Sequence, residues 1–97
     1  MEKIICSAVH VKDNKVHEHQ PVNINEGYVI YGPKHFNCLY IKGLIGDKSS
    51  YSQGFITNYN RFVNRRLAFL IADYAGQIIY NKERTYNQKV LYSEDLF

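Results

Sequence analysis

Ninety-seven residues with 45% hydrophobic and 22% charged content describe one small folded domain, residues 1–97, and exclude wholesale disorder. Twelve basic against nine acidic residues leave a formal charge of +3, without the Lys/Arg runs of a duplex-binding surface. Two cysteines, Cys6 and Cys38, exclude a disulfide framework, and the longest apolar run is far too short to span a membrane. Cys6, in an apolar run, reads as a buried free thiol. The start, Met1-Glu2-Lys3-Ile4-Ile5-Cys6, lacks the apolar core of a secretory signal, so a cytoplasmic protein is expected. Nine tyrosines and no tryptophan mark either an interaction surface or simple compositional bias.

Lys3 to Val11 reads as a strand, with Ile4, Ile5, Cys6, Ala8, Val9 and Val11 apolar. Asp13-Asn14-Lys15 is a turn, and Val16 to Gln20 alternates as a short returning strand that Pro21 ends. After a turn at Glu26-Gly27, Tyr28-Val29-Ile30-Tyr31 is a further strand. Gly32-Pro33 breaks the chain, with Pro33 suited to a first helical position. Lys34 to Ile45 then reads as a helix with Phe36, Leu39, Tyr40 and Leu44 on one side and Gly46 at its end. Asp47 to Ser52 is polar and loop-like.

A hairpin follows: Gly54-Phe55-Ile56, a Thr57-Asn58-Tyr59-Asn60 connection, and Arg61-Phe62-Val63. Asn64 is a good N-cap for the strongest helix, Arg65 to Ala75, whose expected buried stripe is Leu67, Leu70, Ile71, Tyr74 and Ala75. Gly76 is suited to a left-handed cap. Ile78-Ile79-Tyr80 extends the apolar face, Asn81 to Lys89 is a polar loop, and the Leu96-Phe97 end is expected to dock on its own fold or on a partner subunit. The order β-β-β-α-β-β-α gives an α+β fold: a small antiparallel sheet, a β-hairpin feeding a C-terminal helix, and two helices in all.

The hairpin and helix place Arg61 and Arg65 four residues apart around a helix N-terminus. A cation in the first turn opposes the helix dipole, and adjacent Arg66 adds to the cost. A phosphate shared by the arginines and the helix N–H groups would offset it. The competing reading is an ion pair with Glu94 or Asp95, or plain solvent exposure. Around the arginines, Tyr59 and Phe62 offer faces for a base, Asn60 offers an amide for polar edges, and His35 with Phe36 stands at another helix start. Each has an ordinary structural alternative: Asn in turns, Phe in cores, His at caps.

His17 and His19 would share a strand face, and with His35 and Cys38 they raise the question of zinc. Their spacing matches no established zinc pattern, so no metal and no cofactor are expected. The chain also lacks a Gly-rich phosphate loop, a nucleophile elbow and an HExxH motif, so no catalytic residues are assigned. A phosphodiesterase using His35 as base is the less favoured reading.

Gln53-Gly54-Phe55, Asn60-Arg61-Phe62-Val63-Asn64-Arg65, Ala75-Gly76-Gln77 and Ser93-Glu94-Asp95-Leu96-Phe97 resemble segments of small phage and prophage proteins, among them the first Thoeris anti-defence family. A looser likeness extends to Gly32-Pro33-Lys34-His35-Phe36-Asn37. Members of that family are sponges that bind and hide cyclic nucleotide immune signals, such as cyclic ADP-ribose variants and some cyclic oligonucleotides. The resemblance implies that Arg61 and Arg65 contact ligand phosphates. It also implies a homo-oligomer with pockets between subunits, in the cytoplasm of an infected bacterial cell. The resulting expectation is a non-enzymatic binder of a small nucleotide signal, engaging neither membrane nor duplex nucleic acid. The alternative is a protein–protein inhibitor of a bacterial defence effector or nuclease, using the tyrosines and the apolar tail.

Overall fold

A computed structural model describes residues 1–80 and 89–96. Along the chain run β1 (Ile4–Val11), β2 (Tyr28–Gly32), α1 (His35–Ile45), β3 (Tyr51–Thr57), β4 (Phe62–Asn64) and α2 (Arg65–Tyr74), followed by a 3-10 turn at Ser93–Asp95. The four strands form one sheet in the order β2-β1-β3-β4, and every neighbouring pair is antiparallel. The fold is therefore α+β with two α-helices, as expected. The expected strand over Val16 to Gln20 is absent, so the observed order is β-β-α-β-β-α.

Strand alternation and register put Ser7, Val9, Val11, Ile30, Phe55 and Val63 on one face of the sheet. Both helices pack there. Cys38 of α1 sits on Val9, Val11 and Ile30. Ala68, Phe69 and Ala72 of α2 sit on Ile4, Phe55 and Val63, together with Leu91 of the C-terminal segment. Ile4 reaches that face because the register shifts between Ile4 and Cys6. The extra residue reverses the alternation, so Ile4 joins the core while Ile5 turns out to solvent.

The opposite face carries Ala8 and Ile56, both buried, and is covered by the long segment between β1 and β2. That segment is pinned by side chains rather than by a ladder. Asn23 donates to the Phe62 carbonyl at 2.6 Å and accepts from its N–H at 2.9 Å, closing the β4 edge. Gln20 accepts from the Val29 N–H at 2.9 Å and occupies the β2 edge in the same way. The Val22 N–H donates to the Asn60 carbonyl at 2.9 Å, and Pro21 is fully buried. The alternation at Val16 to Gln20 therefore reflects packing of single residues, such as His17 edge-on to Tyr28, and no strand pairing. Gly27 ends the segment at φ +83, and a Cβ there would be driven into the Val11 carbonyl oxygen, so only glycine fits this turn.

Both helices begin and end as their sequences suggest, but neither buries the expected stripe. Asn64 caps α2 by accepting from the Leu67 N–H at 2.8 Å, while Gly46 follows α1 and Gly76 follows α2 in the left-handed region. Pro33 lies outside α1, which starts at His35 behind an extended Lys34 cap. In α2 the buried residues are Ala68, Phe69 and Ala72, with Leu67, Leu70 and Tyr74 exposed. Small alanines let the helix approach the sheet closely, and Phe69 fills the remaining depth. In α1 the buried residues are His35 and Cys38, and of the expected apolar side only Leu39 packs inward. The polar stretch at Asp47 to Ser52 yields its last two residues to β3.

The C-terminal segment is part of the core. Leu91 is fully buried, Leu96 packs against the core under α2, and the Ile79 N–H donates to the Asp95 carbonyl at 2.7 Å. Ile78 joins the apolar face, whereas Ile79 and Tyr80 are exposed. The expected loop at 81–88 and the terminal Phe97 lie outside the described residues.

Candidate functional site

The hairpin carries Arg61 and Arg65 into entirely different surroundings. Arg61 precedes β4 and makes a two-pronged ion pair with Glu2, Nε to Oε2 at 2.9 Å and Nη2 to Oε1 at 2.7 Å. Thr57 donates to the same carboxylate at 2.7 Å. The Arg61 guanidinium and the Thr57 hydroxyl hold the Glu2 carboxyl below the usual range, and Glu2 in turn raises Arg61. This arginine is already neutralised by its own chain.

Arg65 is the first residue of α2 and turns the other way. Its Nη1 donates to the Leu91 carbonyl at 2.8 Å, and the Leu91 N–H donates back to the Arg65 carbonyl at 2.9 Å. Its Nη2 donates to Gln53 Oε1 of β3 and stands 3.5 Å from His35 Nδ1. Its guanidinium carbon lies 4.7 Å from the centre of the Tyr92 ring, a cation–π distance. Each of these partners is uncharged, and among the described residues no carboxylate forms an ion pair with Arg65. Burial lowers its proton affinity, partly offset by attraction to Tyr92 and Glu94.

His35 is the first residue of α1, so the starts of both helices meet at this contact. The ring is buried, edge-on to Phe55 at 4.9 Å, and its Nε2 stands 2.7 Å from the Gly54 carbonyl. Since that carbonyl can only accept, Nε2 carries the proton and Nδ1 faces Ser93 Oγ at 3.3 Å as an acceptor. Burial, with the Arg65 charge adding to it, pushes the His35 pKa down against the opposing Gly54 hydrogen bond, so the imidazole stays neutral. The junction is thus a half-buried guanidinium among neutral acceptors, at the positive ends of two helices.

Of the residues singled out from sequence, the structure brings Arg65 and His35 together. Arg61, Asn60 and Tyr59 lie at the β3–β4 turn, with Asn60 at φ 58 and Tyr59 exposed. Phe62 lies on the opposite sheet face, edge-on to His10 at 5.7 Å and over Gly54, where a Cβ would come within 2.7 Å of its ring. Phe36 is exposed on the outer side of α1. Sequence reasoning missed Gln53, Leu91, Tyr92 and Ser93. Gln53 and Ser93 were within its reach, because they open two of the segments quoted for the resemblance.

The four residues weighed for zinc do not converge. His17 stands 2.7 Å from Asp13 Oδ2, His19 is exposed at φ 60, and burial pushes the Cys38 thiol up to about 11, so its sulfur stays protonated. No group of three metal-ligating side chains occurs among the described residues. Cys6 and Cys38 are both free thiols, and Cys6 is only half-buried, contrary to the expected full burial. A separate groove of about 460 Å³ runs along α2, lined by Met1, Glu2, Leu70, Ile71 and Tyr74. No helix among the described residues is long and apolar enough to cross a membrane.

The family model described as phage T4 y16D protein matches residues 3–97, nearly the whole chain. The chain belongs to this phage protein family. No curated protein and no solved structure matches it.

Proposed function

We propose that this phage-family protein is a non-enzymatic binder that sequesters a small phosphorylated nucleotide signal at the Arg65 junction. The observation that carries the reading is the Arg65 guanidinium: half-buried, at the meeting of two helix starts, with only neutral acceptors. Three of its five N–H groups have protein partners, which leaves two for an anion. A phosphate there would gain a charge-assisted contact and the field of both helix ends. Tyr92, already in contact with the guanidinium, provides an aromatic face beside it. The buried, proton-poor His35 supports binding over turnover, because its ring is committed to Gly54 and Ser93. The likeness to the first Thoeris anti-defence family supports a cyclic nucleotide as the signal and immune evasion as the purpose.

The test is a release assay. The protein is incubated with a panel of cyclic nucleotides, freed of unbound ligand and heat-denatured, and the released compound is weighed by mass spectrometry. Recovery of an intact nucleotide from the native protein, lost in Arg65→Lys and kept in Arg61→Ala, is the expected result. A chemically altered product would move the reading to a phosphodiesterase. A second reading, inhibition of a bacterial protein, is favoured by the groove beside Leu70 and Tyr74, whose apolar walls suit a protein side chain. No retained nucleotide, with activity only when the target protein is present, would establish it.

A further inference from the structure

The outer side of α1 is uncharged at every exposed position. Phe36, Tyr40, Ile41, Leu44 and Ile45 are between 42% and 70% exposed, and the remaining exposed position is Gly43. Lys42, the one charged residue within the helix, is turned back to its own chain: it donates to the Asp47 carbonyl at 2.6 Å and lies 5.2 Å from the Tyr51 ring centre. A glycine in mid-helix weakens that helix relative to alanine. Nothing in this chain explains its presence, because a Cβ at Gly43 would meet no atom within 4 Å. The gap it leaves opens outwards, into the middle of an apolar stripe.

We propose that this face of α1 is a two-fold self-association surface, occupied by α1 of a second copy of the chain. In an antiparallel pair centred on Tyr40, Phe36 of one copy stands opposite Leu44 of the other, beside Gly43. The same patch therefore carries both the projection and the recess, which is what a two-fold interface requires. The absence of exposed charge removes the like-charge repulsion that a self-pairing helix would otherwise meet, and it offers nothing to a charged partner. The exposed parts of the five apolar side chains come to about 600 Å² per chain, so a pair would bury about 1,200 Å², the lower end of stable interfaces. This pairing stands independently of any ligand at Arg65.

Analytical ultracentrifugation over a concentration series tests it, without added ligand. The native chain is expected to sediment as a dimer. Gly43→Leu is expected to keep the native circular dichroism spectrum while weakening dimerisation at least tenfold. Tyr40→Cys, next to the two-fold axis, is expected to give a covalent dimer on mild oxidation, and Tyr74→Cys on α2 is not. A monomeric native chain overturns the proposal, as does undiminished dimerisation of Gly43→Leu. Equal cross-linking at Tyr74→Cys would place the contact elsewhere and overturn it too. A chain that is monomeric alone but binds lipid vesicles or a host protein through Phe36 would assign the face to that other occupant.

Discussion

Arg61 and Arg65 flank the same three-residue strand, yet they occupy opposite electrostatic situations. Arg61 meets a carboxylate in a two-pronged pair at the protein surface. Arg65 is drawn under the C-terminal segment and meets a carbonyl, an amide and an imidazole. The lesson concerns charge. The cation that looks more buried is the less neutralised, because neutral acceptors satisfy hydrogen bonds without cancelling the field. The arginine available to an anion is therefore the one that also holds the fold together.

The sharpest way to break this comparison is to remove each arginine in turn. Arg65→Ala strips donors from the Leu91 carbonyl, Gln53 and His35 in a partly dry junction and loosens the segment that carries Leu91. It is expected to cost about 2–4 kcal/mol in chemical denaturation. A loss as small as that of Arg61→Ala would mean that Arg65 is no clamp.

The next largest effect separates the junction from the surface by pH. The His35 pKa is depressed from 6.5 in the folded protein, so the unfolded chain takes up a proton first as pH falls. This contribution to stability is complete above 6.5 and declines as pH drops through 6.5 toward the lower folded value. Thermal melts from pH 7.5 to pH 5 should show the midpoint falling, and falling less in His35→Gln, whose amide can still donate to the Gly54 carbonyl. Identical pH profiles would place His35 outside the junction's electrostatics. The Glu2 carboxyl, also depressed but from a value of 4.5, acts in a separate and more acidic window.

The smallest effect belongs to the Arg61–Glu2 pair. Its side chains are 37% and 17% exposed, so solvent screens it. A double-mutant cycle of Arg61→Ala and Glu2→Ala is expected to give a coupling of about 0.5–1 kcal/mol, reduced in high salt. A coupling above that of the Arg65 contacts would reverse the ranking of the two sites.

Local signals were read well where the local chain is in control. The Asn64 cap, the stops at Gly46 and Gly76, and the passage from hairpin to helix each depend on a few adjacent residues. The errors arise where distant residues decide. Val16 to Gln20 has the alternation of a strand, but Gln20 and Asn23 spend their side chains on the sheet edges that a strand would need. The bulge after Ile4 was invisible because a run of apolar residues tolerates either face. The stripe of α2 was placed by hydrophobicity, whereas burial followed the small residues that allow close approach.

The candidate site divides in the same way. Sequence by itself determined that a positive helix start would carry Arg65, that the fold would be an antiparallel sheet with two helices, and that the hairpin would deliver the arginines to its end. Each of those follows from spacing, caps and periodicity within about a dozen residues. Only the tertiary structure decided that Glu2 would neutralise Arg61, that His35 would meet Arg65, and that Gln53, Leu91, Tyr92 and Ser93 would enclose the junction. These are contacts between residues from 12 to 59 positions apart. Their pairing is set by strand order and by the burial of Leu91, so no pattern along the chain encodes it.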